Sequence, residues 1–238
     1  KASNLSKQSH ILAANLDLCS LTVTINHPAT ATTFIDRFLA AAEAYRVPVV
    51  LLFNKTDLYN EAEREELEYL TALYESIGYR CLHTSATTGE GIEALKEMMR
   101  GKVSLLAGNS GVGKSSIVNA IAPEIAARVG EISKTHDTGM HTTTYTEMFE
   151  IMPGSYIVDT PGVKGFGTYN MEVEEISHYF IEFFRLSKDC KYGNCTHTHE
   201  PGCAVLEALE RGEIAPSRYQ SYLSMLEDKD EGKYRASE

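Results

Sequence analysis

The chain lacks any apolar run of about 18 residues or more, so no membrane-spanning helix is expected. It is short of basic residues: 22 Lys and Arg stand against 33 Asp and Glu, for a net charge of −11. That balance argues against broad, nonspecific nucleic-acid binding, though not against a local basic patch. No apolar leader opens the sequence at Lys1, and there is no initiator Met, so a trimmed N-terminus is expected. No internal repeat is visible, which sets aside solenoids and propellers. Cysteine is sparse, at five. Cys19 and Cys81 sit in apolar stretches and read as buried thiols, whereas Cys190, Cys195 and Cys203 cluster. In a chain with no sign of secretion, such a cluster points to metal before disulfide.

What is present suits one medium α/β domain with a small appendage, since 43% of the 238 residues are hydrophobic. Residues 18–25 and 47–54 are apolar runs that read as strands buried on both faces. Between them, Phe34, Phe38, Leu39, Ala42 and Tyr45 recur at helical spacing. Asn60 and Glu63 form a capping box ahead of Leu67, Leu70, Leu73, Tyr74 and Ile77. Further strands are expected at 79–87, 102–108 and 156–162, with helices at 91–99 and from 115. This alternation implies a parallel sheet covered on both faces. Past residue 163 two short helical stretches flank the cysteines, and the charged tail from 227 reads as loose.

Four phrases carry chemistry. Residues 108–116 read "GNSGVGKSS", a phosphate loop between strand and helix. Its glycines let N–H groups of Gly108, Asn109, Ser110, Gly111, Val112 and Gly113 turn inward, and the helix beginning near Ser115 and Ser116 adds its positive end. Lys114 would neutralise β- and γ-phosphate charge, and Ser115 would ligate Mg²⁺. Asn54, Lys55, Thr56 and Asp57 spell "NKTD", a guanine reader. A carboxylate at Asp57 accepts from guanine N1–H and the N2 amine, while adenine offers neither donor, and an unpaired buried acceptor costs about 1–3 kcal/mol. Lys55 would lie along the base and Asn54 would brace neighbouring loops. Ser85, Ala86 and Thr87 supply a second base contact through the Ala86 N–H; many GTPases carry Lys where Thr87 stands. Asp159 and Gly162, in "DTPG", would hold Mg²⁺ and sense the γ-phosphate, and Thr143 of "HTTT" would complete the Mg²⁺ shell.

The order of these phrases is unusual. The guanine reader precedes the phosphate loop, a cyclic rotation of the ordinary GTPase sequence. Such rotation is tolerable because domain termini lie at the surface. A further absence concerns the glutamine that orients water in Ras-like enzymes. Val163 stands in its place and cannot do that work, so intrinsic hydrolysis should be slow unless His141 substitutes. Finally, Cys190, Cys195, His197 and Cys203 give three thiolates and one imidazole, a closed tetrahedral set suited to structural zinc. His199 is the alternative imidazole, and the metal would pin a segment too short for its own core.

Together these motifs resemble the circularly permuted GTPases of small-ribosomal-subunit biogenesis, the RsgA family, from "ILAANLD" (11–17) to the C-terminal helices. The resemblance implies a P-loop NTPase fold with permuted Ras-like topology over residues 11–168 and a zinc-bearing helical domain over 169–238. Residues 1–10 would be the trailing edge of an OB-fold. It further implies GTP and GDP, Mg²⁺ and one zinc as ligands, with the small subunit and its rRNA as partners. A cytoplasmic monomer without a membrane role is expected, acting late in subunit maturation with subunit-stimulated turnover. The alternative is a GTP-gated binding switch with negligible turnover.

Overall fold

A computed structural model describes residues 16–125, 147–159 and 171–235. Six strands form one sheet: β1 (Leu18–Val23), β2 (Val49–Asn54), β3 (Arg80–Thr84), β4 (Val103–Ala107), β5 (Glu147–Met152) and β6 (Ser155–Asp159). Their order across the sheet is β3-β2-β1-β4-β6-β5. The first four and β6 run parallel, with Leu21 opposite both Leu51 and Ala107. β5 pairs antiparallel with β6 at the edge, so the expectation of a parallel sheet is corrected there. The tight Met152–Ser155 connection explains this: a hairpin can join only antiparallel neighbours.

Counted from β4, the strands become 1 (β4), 2 (β5), 3 (β6), 4 (β1), 5 (β2) and 6 (β3), and the sheet reads 2-3-1-4-5-6 from the β5 edge. The rotation of motifs is therefore a rotation of the chain through one unaltered sheet.

Helices α1 (Thr32–Tyr45) and α2 (Glu61–Ile77) cover one face, where Phe38, Leu39, Leu67 and Tyr74 join Leu21 and Phe53. Helices α3 (Ile92–Met99) and α4 (Lys114–Ile121) cover the other, packing Leu95, Met99 and Ile117 against Val50 and Ile157. The Asn60–Glu63 capping box opens α2 as expected, with Glu63 N–H to Asn60 Oδ1 at 3.0 Å and Asn60 N–H to Glu63 Oε2 at 2.9 Å. Tyr45, expected on the buried side of α1, is 56% exposed because the helix ends there, at a left-handed Arg46.

Helix α1 buries two sides. Ile35, Phe38 and Leu39 meet the sheet, while Ala40 and Ala41 join a third core. That core includes Phe180, Phe183, Val205, Ala208, Tyr222 and Met225. Phe180 follows a 3₁₀ segment at Val173–Tyr179, and the others come from α5 (Ile181–Ser187), α6 (Ala204–Glu210) and α7 (Pro216–Arg235). The cysteine segment thus shares an apolar core with α1, which lends it small side chains. In the tail expected to be loose from 227, α7 is helical to Arg235, and Arg37 reaches Asp228 at 2.5 Å.

A buried ion cluster locks this junction. Arg218, 1% exposed, donates from Nη1 to Asp36 Oδ1 at 2.9 Å and from Nε and Nη2 to Glu182 at 2.7 and 3.0 Å. Ser221 and Tyr74 also donate to Asp36, at 2.6 and 2.9 Å. Burial lifts the Asp36 carboxyl above the usual range, and Arg218, Ser221 and Tyr74 work against that lift.

Candidate nucleotide site and metal centre

Loops at the carboxyl ends of β1, β2, β3 and β4 gather along one edge of the sheet, where open α/β sheets place their ligands. The phosphate loop leaves β4 after Ala107 and ends at Gly113, the N-cap of α4. Two glycines are sterically required. Gly108 has φ 138°, and a Cβ there would lie 2.3 Å from the Thr22 carbonyl oxygen. Gly113 has φ 99°, and a Cβ there would lie 2.4 Å from Asn54 Nδ2. Lys114 folds back over the loop, donating from Nζ to the Gly108 and Asn109 carbonyls at 2.7 Å each. Asn109, Ser110, Gly111, Ser115 and Ser116 are exposed at the sheet edge, and Val112 is buried beneath them.

The two nucleotide phrases, far apart in sequence, meet at bonding distance. Asn54, 1% exposed, donates from Nδ2 to the Val112 carbonyl at 2.9 Å and accepts from Thr84 Oγ1 at 3.1 Å. Lys55 adopts φ 67° and donates from Nζ to the Gly111 carbonyl at 2.7 Å and to the His27 carbonyl. Thr56 Oγ1 bonds the Thr84 carbonyl at 3.2 Å and Glu90 Oε2 at 2.5 Å. Asp57 is exposed, and its Oδ1 accepts from Ser85 Oγ at 2.6 Å. Ser85 Oγ in turn accepts from Thr88 N–H at 3.1 Å, which fixes the turn bearing half-buried Ala86 and exposed Thr87. A carboxylate at the lip, held by one hydroxyl, keeps lone pairs to receive the donors of a guanine edge.

Asp159 closes β6 at this same edge. His141, Thr143, Gly162 and Val163 lie outside the described residues. Sequence reading missed three contributors: Glu90, Tyr59 and the β1–α1 loop at 24–31. The last had a signal, since Asn-His-Pro after a buried strand marks a turn at the ligand edge.

The cysteine cluster is compact. The ligand atoms of Cys190, Cys195, His197 and Cys203 all lie within 4.8 Å of one another. His197 Nδ1 is 3.3 Å from Cys203 Sγ and 3.7 Å from Cys190 Sγ, and those two sulfurs are 4.0 Å apart. Tetrahedral zinc with bonds of about 2.3 Å to sulfur and about 2.05 Å to nitrogen sets S···S at ~3.8 Å and S···N at ~3.6 Å. The residues therefore fit the ion. His197 is 2% exposed, and burial lowers its pKa, favouring the neutral ligating form. His199 is exposed and bonded to Thr198, and His197 is the imidazole that lies within the cluster. Tyr219 and Tyr222 of α7 donate to the His197 and Thr196 carbonyls at 2.8 and 2.6 Å, holding the ligand turn from behind.

Sheet order, phosphate loop and base-reading loop together define a circularly permuted P-loop GTPase. Comparison agrees: the RsgA GTPase family model matches residues 1–169. A "Small ribosomal subunit biogenesis GTPase RsgA 2" of Bacteroides thetaiotaomicron is 62% identical over 237 residues, covering all of this chain and 76% of that protein. An RsgA of Phocaeicola vulgatus is 63% identical with the same coverage. The crystal structure of YjeQ from Thermotoga maritima is similar at TM-score 0.77 and 41% identity, over 91% of this chain and 72% of that one. YloQ, "a circularly permuted GTPase", is similar at TM-score 0.73 and 28% identity, over 91% and 69%. The chain belongs to the RsgA GTPase family and is a GTP hydrolase. GTP, GDP and Mg²⁺ are the ligands this membership implies. Among the described residues, no helix is long and apolar enough to cross a membrane.

Proposed function

We propose that this chain is a cytoplasmic, monomeric assembly checkpoint for the small ribosomal subunit, with GTP turnover stimulated by the subunit and its rRNA. The observation that carries the chemistry is the pair of bonds from Asn54 and Lys55 to Val112 and Gly111, which joins base reading to phosphate binding. The names of the relatives support the partner. Asn54, Lys55, Thr56 and Asp57 select guanine, with Ser85, Ala86 and Thr87 closing the far side of the base. Gly108 through Ser116 cradle the phosphates, and Lys114 neutralises charge as it develops on the transferred group. Ser115, Thr143 and Asp159 would hold Mg²⁺, which supplies charge neutralisation at the phosphates. Gly162 senses the γ-phosphate and His141 orients water. Residues 11–168 form the GTPase domain, and residues 169–238 form the domain that zinc pins through Cys190, Cys195, His197 and Cys203.

Val163, standing where water-orienting glutamine would be, favours one other reading: a GTP-gated binding switch with negligible turnover. Steady-state GTP hydrolysis, alone and with purified small subunits and with ATP as control, separates the two. Stimulation by subunits with no ATP turnover is expected. Tight GTP binding without stimulation would reject the checkpoint reading in favour of the switch.

A further inference from the structure

The guanine-reading loop rests on a side chain that no nucleotide motif contains. Tyr59 lies two positions beyond Asp57 and is 5% exposed. Its ring packs in the core beneath the sheet edge, and its hydroxyl turns back under the loop. That hydroxyl donates to the Asn54 carbonyl at 2.5 Å and accepts from Ile25 N–H at 2.9 Å. One phenol thus ties the ends of β1 and β2.

Both bonded segments lead to the same point. The Asn54 carbonyl belongs to the peptide that enters Lys55, whose φ of 67° is unfavourable for a residue with a Cβ. Fixing that peptide helps hold Lys55 in the left-handed region. Ile25 opens the loop carrying His27, whose carbonyl receives Lys55 Nζ and whose own φ is 64°. The loop is closed on itself: Thr24 Oγ1 donates to the Pro28 carbonyl at 2.5 Å, and Thr30 N–H to the Thr24 carbonyl at 2.9 Å. Asn26 anchors its outer side to Glu63 of the α2 capping box at 2.7 Å. So two strained residues, each facing the other, are held by neighbours that converge on the Tyr59 hydroxyl.

We propose that Tyr59 is a positioning residue for guanine recognition, aligning the β1–α1 loop and the Asn54–Asp57 loop so that Lys55 and Asp57 meet the base. The role rests on the assignment of Asn54, Lys55 and Asp57 to guanine. Phenol and loop bear on Lys55 and Asp57, which meet the base that the two nucleotides share, so GTP and GDP should be affected alike. The edge that Asp57 reads includes the guanine N2 amine, which hypoxanthine lacks. A misplaced carboxylate therefore narrows the margin between GDP and IDP.

The experiment is equilibrium binding of GDP, GTP, IDP and ADP to the wild-type chain, Tyr59→Phe, Asn26→Ala and Tyr69→Phe, with Tm for each. Tyr59→Phe keeps the ring and removes the hydroxyl. GTP and GDP affinity should fall together by about three- to tenfold, as the loss of one buried hydrogen bond predicts, and the GDP-to-IDP ratio should shrink. Asn26→Ala, on the exposed anchor, should move both quantities in the same direction by less. Tyr69, 54% exposed on α2, should leave both unmoved. A lower Tm for Tyr59→Phe with affinity and ratio intact would reduce Tyr59 to a packing residue and overturn the proposal. A wild-type chain that did not prefer GDP to ADP would overturn the guanine assignment and the positioning role with it.

Discussion

Helix α1 borders two regions that are held by opposite means. Ahead of its N-terminus the loops at the strand ends are laced by hydrogen bonds to carbonyls: Lys55 to Gly111 and His27, Asn54 to Val112, Lys114 to Gly108 and Asn109. Along its other flank a guanidinium, two carboxylates, a hydroxyl and a phenol form one buried cluster around Arg218. The first arrangement can exchange partners at Lys114, whose ammonium is able to turn from the Gly108 and Asn109 carbonyls to a nucleotide phosphate. The second cannot exchange anything, because a buried charge that loses its partner has no water to replace it. The contrast follows from their work: one region must accept and release a ligand, and the other must hold the C-terminal helices against α1.

Breaking the rigid side should cost most. Arg218→Ala leaves Asp36, fully buried, beside an emptied site, and should destabilise the protein by about 3–5 kcal/mol in chemical denaturation. Pairing it with Asp36→Asn removes the stranded charge and should recover part of that loss. Equal destabilisation by the single and double changes would mean that Arg218 acts through its packing, its guanidinium carbon lying 4.5 Å from the Phe180 ring centroid, and not through its ion pair with Asp36. Removing metal should act on the same unit. Chelation, or Cys203→Ser, should release about one zinc per chain by elemental analysis and lower Tm. An unchanged Tm would assign the stability of the unit to the Arg218 cluster and its apolar core alone.

Changes on the exchangeable side should instead spare the fold and strike turnover. Lys114→Ala removes an ammonium from the half-buried mouth of the phosphate loop. Subunit-stimulated kcat should fall by about 10²–10³-fold, with little change in Tm. A large loss of Tm would show that the bonds to Gly108 and Asn109 hold the loop together, which would blur the contrast.

The two sides also differed in how legible they were from sequence. The exchangeable side is built from short local phrases, each fixed by the chemistry of a phosphate or a base edge, so "GNSGVGKSS" and "NKTD" could be placed at strand ends before any coordinates. The Asn60–Glu63 cap and the Cys–His cluster were legible for the same reason: spacing within a turn or two sets their geometry. Asp36 and Arg218 share no local pattern. An aspartate inside an amphipathic helix reads as a solvated residue until its distant partner is in place. The edge strand β5 was missed because "EMFEIM" follows a polar stretch without periodicity, and only pairing with β6 makes it a strand. Tyr59 was passed over because a tyrosine after a motif reads as core, which it also is.

The finest distinction lies within the nucleotide side, between bonds that lock its frame and bonds that meet ligand. Glu63 belongs to the frame, accepting from Asn26 and from Asn60 N–H. The Asn26 bond, then the Asn60 bond, hold its carboxyl below the ordinary 4.5. A depressed folded-state value means that the unfolded chain binds the proton more tightly. The stabilisation is therefore complete above about 4.5 and is lost as pH falls through the lower folded value. Glu63→Gln has no such titration. The Tm difference between wild type and Glu63→Gln should be largest near pH 6 and shrink toward pH 4, by a small amount because the carboxyl is exposed and solvent-screened. A difference that stayed constant over that range would mean that the neutral side chain caps α2 as well as the carboxylate does. The link between α2 and the β1–α1 loop would then owe nothing to charge.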